Sequence, residues 1–79
     1  MERQEILVGL KEILQLIKPS LDLSAVNENS QLISDIGLDS LTILLLSLAI
    51  ENKFNIKFEG AVKFNTVGEV IDYIIKAKA

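Results

Sequence analysis

Apolar residues recur every three or four positions in three separate stretches of this chain, and this spacing restricts the fold more than any other feature of the sequence. The first stretch runs from Glu5 to Lys18, where Pro19 ends the predicted helix. A second helix is predicted from about Ser40 to Phe54, and a third follows Thr66. The apolar stripes of the first and third helices are Ile6, Leu10, Ile13, Leu14 and Ile17, and Val67, Val70, Ile71, Ile74 and Ile75.

A long connection from Ser20 to Asp39 joins the first two helices. Loops beyond roughly 12–15 residues are uncommon in compact domains and often carry function. Residues 27–30 predict a turn within the connection. Its apolar residues indicate that it lies along the core: Leu21, Leu23, Val26, Leu32, Ile33 and Ile36.

The segment between the second and third helices is short. A helical turn is predicted near Ala61 to Phe64. Thr66 and Glu69 then have the spacing of a capping box, in which Thr66 binds the amide of residue 69 and Glu69 reaches back. We therefore expect an all-α fold, an up-and-down bundle of three main helices plus one short helix. The 79 residues show no repeat or interdomain linker, so a single domain over residues 1–79 is expected.

The composition excludes several classes of chemistry. The chain has no cysteine and no histidine, which rules out disulfides, thiolate metal sites and Ser-His or Cys-His nucleophile pairs. Any reactive group must come from another molecule. The net charge of −3 argues against nucleic-acid binding. The longest apolar run, from Ile43 to Leu46, is far below the ~18 residues of a membrane span, so we expect a cytoplasmic protein without one.

One segment of the sequence points to a site, and it reads Asp35-Ile36-Gly37-Leu38-Asp39-Ser40-Leu41. Ser40 starts a predicted helix, where unpaired N–H groups and the positive end of the dipole favour a phosphate. Gly37 permits a tight turn, and Asp35 and Asp39 add two carboxylates that suit a divalent cation held by a partner enzyme. An isolated Asp-Ser pair is more often only a helix cap, so the pair alone leaves both interpretations open.

This segment, together with Ala49, Glu51, Phe54, Thr66-Val67 and Ile71-Asp72-Tyr73-Ile74, resembles the acyl carrier protein family over nearly the whole chain. The resemblance implies that a phosphopantetheinyl transferase, using Mg²⁺, attaches 4′-phosphopantetheine from coenzyme A to Ser40. Asp39 and Asp35 support that site. The thiol of the arm then holds an acyl group as a thioester. The chain is accordingly expected to be a carrier and not an enzyme.

The same resemblance implies a role in fatty-acid or specialised lipid or polyketide biosynthesis, with acyl-transferring or synthase enzymes as further partners. Asp39 directly before the serine is typical of acyl carriers, whereas peptidyl carriers more often have histidine there. An aminoacyl or peptidyl carrier remains an alternative. A second alternative, of another class, is an unmodified helical adaptor.

The predicted second helix has two apolar faces at about 100° per residue. One is expected to close the core, and an acyl chain is expected to insert against Ile43, Leu46, Ile50, Ala61 and Ile71. The other is expected to bind partners together with Glu51, and it comprises Leu41, Leu44, Leu45 and Leu48. Thr42 and Leu45 occupy positions that are typically acidic in the fatty-acid-synthesis carriers that this helix resembles, which favours a specialised member. We expect a monomer. The long loop or a second copy of the chain are the alternative occupants of the outer face.

Overall fold

The computed structural model describes residues 2–58 and 64–78, which form three α-helices. These are α1 (Arg3–Ile17), α2 (Ser40–Phe54) and α3 (Val67–Lys78). The predicted all-α bundle of three main helices is confirmed. The short helix predicted near Ala61 to Phe64 falls largely on residues 61–63, which lie outside the described residues, and Phe64 itself is not helical. No helix of the described chain is both long enough and apolar enough to cross a membrane.

The ends of the helices follow local signals. Lys18 leaves helical geometry (φ −135°, ψ 82°) while its N–H still donates to the carbonyl of Leu14 at 2.8 Å, so α1 ends one residue earlier than predicted. At the start of α3, Thr66 Oγ1 accepts from the amide of Glu69 at 3.3 Å. The Glu69 carboxylate accepts from Asn65 N at 3.5 Å. The predicted reciprocal cap is therefore present, with its return bond one residue before Thr66.

A single hydrophobic core receives residues from every helix. α1 packs against both α2 and α3. Ile17 and Ile75 lie at its edge, half-buried. The helical side chains buried in the core are Ile6, Leu10, Ile13, Leu14, Leu46, Ile50, Phe54, Val67, Val70, Ile71 and Ile74.

The long loop between α1 and α2 is structured along much of its length. It contains a 3₁₀ turn at Leu23–Ala25, and the predicted turn at residues 27–30 is present, with Ser30 N donating to Asn27 O at 3.1 Å. Three of the six apolar residues expected on the core are buried, Val26, Leu32 and Ile36. Leu21 and Leu23 are half-buried against the core.

The expectation for Ile33 is wrong, because its side chain is 65% exposed. Its neighbour Leu32 donates its backbone N–H to Asn65 O at 2.9 Å and turns its own side chain inward. Ile33 lies in the turn that the amide of Asp35 closes on Gln31 O at 3.0 Å, and its side chain is turned towards solvent. Two further bonds tie this loop to the first turn of α3, from Val67 N to Ser30 O at 3.0 Å and from Gly68 N to Glu28 O at 2.8 Å. Together they satisfy amides that have no partner within the helix.

Candidate functional site

The turn that leads into α2 is built around Gly37. Gly37 has φ +85°, a left-handed conformation that glycine adopts without a steric cost. The amide of Ile36 donates to Gln31 O and the amide of Leu38 to Leu32 O, both at 3.0 Å. Ile36 and Leu38 are also buried. The turn is therefore anchored on both sides of the glycine.

Asp39 caps α2. Its Oδ1 accepts from Thr42 N at 2.8 Å and from Thr42 Oγ1 at 2.7 Å. Its backbone carbonyl accepts from Ile43 N at 2.9 Å. The hydrogen bond from the Thr42 hydroxyl, followed by that from the Thr42 amide, lowers the pKa of the Asp39 carboxyl below its ordinary value. Asp39 is therefore ionised at neutral pH, and one charged oxygen accepts both bonds from Thr42.

Ser40 is the first residue of α2 and its side chain is exposed. The cap leaves this hydroxyl at the surface, beside the end of the helix where N–H groups point outward and the dipole is positive. This end of the helix would stabilise a phosphodiester at the Ser40 oxygen. The residues present fit a covalently attached phosphate-linked arm.

Asp35, the other carboxylate predicted to support the site, binds the loop. Its Oδ2 accepts from Gln31 N at 2.8 Å, which closes the turn that precedes Gly37. Asp35 and Asp39 thus both accept backbone amides and shape the approach to Ser40. Within residues 2–58 and 64–78, no group of three or more His, Cys, Asp or Glu residues is placed to hold a metal ion.

The outer side of α2 is an exposed apolar surface, which we call the leucine face. It consists of Leu41, Leu44, Leu45 and Leu48, which are 66%, 56%, 49% and 51% exposed. On the opposite side of the helix Leu46 and Ile50 are buried, and Ile43 is half-buried against the core. The predicted division of α2 into a core side and an outer side therefore agrees with the burial of its residues.

Both charged side chains of α2 make contacts within the chain. Glu51, predicted to bind partners, is half-buried and its Oε2 accepts from Phe58 N at 2.8 Å. Lys53 Nζ pairs with Glu12 of α1 at 2.8 Å. One carboxylate oxygen of Glu51 thus binds the backbone of the segment that follows α2, a contact that the sequence did not indicate.

Four of the five residues predicted to contact an acyl chain lie among the described residues, and they gather in or against the core. Leu46, Ile50 and Ile71 are buried in the same core, and Ile43 packs against it. Ala61 lies outside the described residues.

Three half-buried aromatic rings, those of Phe58, Phe64 and Tyr73, pack together beside this core. Their centroids are 4.9–5.8 Å apart. Such rings stabilise each other in tilted and edge-on arrangements.

Two residues that shape the site were missed by the sequence analysis. Leu38 is 3% exposed, and its burial depends on the Gly37 turn, across which its amide donates to Leu32 O. Lys18 donates its Nζ to Ile36 O at 2.7 Å, across 18 positions of the chain. No local pattern indicates that contact.

A small helical bundle with an exposed serine at the N-terminus of a helix fits a carrier class of protein, one that holds a group covalently while other proteins convert it. Comparison with known proteins gives the same class. A sequence model of the family described as phosphopantetheine attachment site matches residues 9–74. 

Curated relatives agree over most of the chain. An acyl carrier protein of Thermotoga maritima is 38% identical over 76 residues, which cover 94% of this chain and 93% of the relative. An acyl carrier protein of Chlamydia caviae is 46% identical over 55 residues, covering 67% and 71% of the two chains. A meromycolate extension acyl carrier protein of Mycolicibacterium aurum is 32% identical over 76 residues, covering 94% and 77%.

The chain belongs to the acyl carrier protein family of phosphopantetheine attachment domains. It is a carrier and not a catalyst, and its cofactor is covalently attached 4′-phosphopantetheine. Neither the peptidyl-carrier alternative nor the unmodified adaptor is favoured by these matches.

Proposed function

We propose that Ser40 carries the phosphopantetheine arm and that the thiol of the arm holds an acyl intermediate as a thioester. The observation that carries this proposal is the exposed Ser40 at the first position of α2, directly after a capping aspartate and an anchored turn. The arm supplies the sulfur that this chain lacks, since the sequence contains no cysteine. A phosphopantetheinyl transferase is the enzyme that loads the arm.

The chain, over residues 1–79, acts as one carrier domain in the cytoplasm. Its further partners are acyl-transferring or synthase enzymes of fatty-acid or specialised lipid biosynthesis. These partners bind the leucine face through apolar contacts. Because Thr42 and Leu45 carry no charge and Lys53 is paired with Glu12, electrostatic steering along α2 is weak.

The acyl chain enters the interior between α2 and α3, against Ile43, Leu46, Ile50 and Ile71. Ala61 is proposed from the sequence alone. Ile50 is 1% and Ile71 0% exposed, so the side chains of the bundle are in contact before an acyl group enters. Protein interiors are close-packed. The helices must therefore move apart by the width of the acyl group before it can insert.

The attachment of the arm is tested by intact mass spectrometry after incubation with coenzyme A and a broad-specificity phosphopantetheinyl transferase. We expect the parent chain to gain one arm and Ser40→Ala to gain none. Ser34→Ala, which removes another exposed serine of the preceding loop, is the matched control and should gain one arm. An arm on Ser40→Ala would refute the assignment, and an unmodified parent would favour the adaptor.

A further inference from the structure

Lys18 stands at a fixed point just after α1. Its amide donates to Leu14 O at 2.8 Å, which holds its backbone against the last turn of the helix. The side chain of Gln15 donates to Pro19 O at 2.9 Å, which also holds the backbone after Lys18 against the last turn of α1. The side chain of Lys18 therefore starts from a constrained position.

From that position the side chain reaches the turn before α2. Lys18 is half-buried, and its Nζ donates to Ile36 O at 2.7 Å. The same nitrogen lies 2.8 Å from the point where a Cβ at residue 37 would stand, so Gly37 leaves the space that the ammonium group occupies. The carbonyl that accepts this bond belongs to the peptide that enters the left-handed residue Gly37.

We propose that Lys18 is a positioning residue for the modification of Ser40. Its ammonium group fixes the Ile36–Gly37 peptide, and this peptide and the buried Leu38 together set where α2 begins and where the Ser40 hydroxyl lies. Hydrogen bonds from a charged donor are stronger than those between neutral groups. A turn already held in its final geometry costs the transferase less ordering on binding. The inference rests on the proposed function of Ser40.

The test uses Lys18→Met, which keeps the length and apolar stem of the side chain but removes the donor. Amide hydrogen exchange at Ile36 and Leu38 should become about tenfold faster, the change that corresponds to losing a charge-assisted hydrogen bond. Exchange at Val70, inside α3, should stay unchanged. With a phosphopantetheinyl transferase, the KM for the carrier should rise while kcat stays constant, because the loss affects presentation of Ser40 and not its chemistry.

Two further variants complete the experiment. Lys11→Met removes one positive charge from the middle of α1 and should behave as the parent, since the side chain of Lys11 makes no hydrogen bond or ion pair with the described residues. Lys18→Arg keeps a charged donor and should recover most of the protection.

The inference is overturned by unchanged exchange at Ile36 and Leu38, by equal acceleration at Val70, or by a lowered kcat at constant KM. An unmodified parent chain would instead refute the function of Ser40, which the mass measurement detects separately.

Discussion

At the scale of single residues, adjacent polar side chains at the start of α2 have different roles. Asp39 directs one carboxylate oxygen at both donors of Thr42, so the cap does not use the Ser40 hydroxyl. Thr42 occupies a position that is typically acidic in fatty-acid-synthesis carriers, and its hydroxyl here extends the cap. The serine is consequently exposed at a helix end that its neighbours stabilise.

The charge of Asp39 should give the fold a measurable pH dependence. Because its pKa is lower in the folded chain than in the unfolded one, Asp39 stabilises the fold at pH above the unfolded value of about 3.9, and this contribution is lost as the pH falls through the folded pKa. Asp39→Asn keeps an acceptor for the cap but no charge. Thermal unfolding should show the variant less stable than the parent at pH 7, with the two Tm values converging in acid.

Glu2→Gln is the control for this measurement, since the side chain of Glu2 makes no capping hydrogen bond to α1. Its Tm should follow that of the parent at every pH. A difference between Asp39→Asn and the parent that stays constant from pH 7 into acid would show that the Asp39 charge does not contribute.

At the scale of elements, neighbouring leucines of α2 lie on different sides of the helix, one in the core and one at the surface. Leu46 is 4% exposed within the core, whereas Leu45, one residue earlier, is 49% exposed on the leucine face. The step of about 100° per residue separates the two side chains. A contiguous exposed apolar surface of this kind is typical of protein–protein contacts.

Truncation of Leu46 should affect stability, whereas truncation of Leu45 should affect partner binding. Leu46→Ala should lower the free energy of unfolding by about 2–5 kcal/mol, because it leaves a cavity in the core. Leu45→Ala should change it by at most about 0.5 kcal/mol, as is usual at exposed positions. Leu45→Ala should nevertheless raise the KM of the phosphopantetheinyl transferase for the carrier, because the leucine face is the proposed partner-binding surface.

Urea unfolding and transferase kinetics on the same preparations separate these effects. Equal destabilisation by the two substitutions would contradict the division of α2 into two faces. A loss of stability for Leu45→Ala that depends on protein concentration would show that a second copy of the chain covers the leucine face.

At the scale of the whole molecule, the packing of α1 against α2 explains why a glycine occupies position 9, inside a helix. Gly9 is buried in α1, and a Cβ at this position would lie 2.8 Å from Cζ of Phe54. The ring of Phe54 is itself buried, at 5% exposed, and has little room to move. Close packing against Phe54 therefore accounts for the glycine.

Gly9→Ala should therefore destabilise the protein despite the better helix propensity of alanine. Propensity favours the variant by about 1 kcal/mol. Overpacking a core typically costs about 1–3 kcal/mol. We expect a lowered Tm in thermal unfolding. In a Phe54→Leu background the same change should be less destabilising, and an equal cost in both backgrounds would show that the Phe54 ring is not the obstacle.

The sequence by itself determined the three helices, the capping residues and the residue proposed to carry the arm. These features depend on residues within a few positions of each other, as in the helical spacing of apolar residues and the Asp39–Thr42 cap. It also indicated which side of α2 faces the core, because one apolar stripe of α2 was expected to pack against the apolar stripes of α1 and α3.

Only the tertiary structure decided the contacts between distant segments. Burial of Leu38 and exposure of Ile33 follow from where the loop hydrogen-bonds to the start of α3 and to itself. The bond from Lys18 to Ile36 and the contact of Gly9 with Phe54 join residues far apart in the chain. Such contacts are set by how the helices and loop pack together, and packing geometry leaves no periodic signal in the sequence.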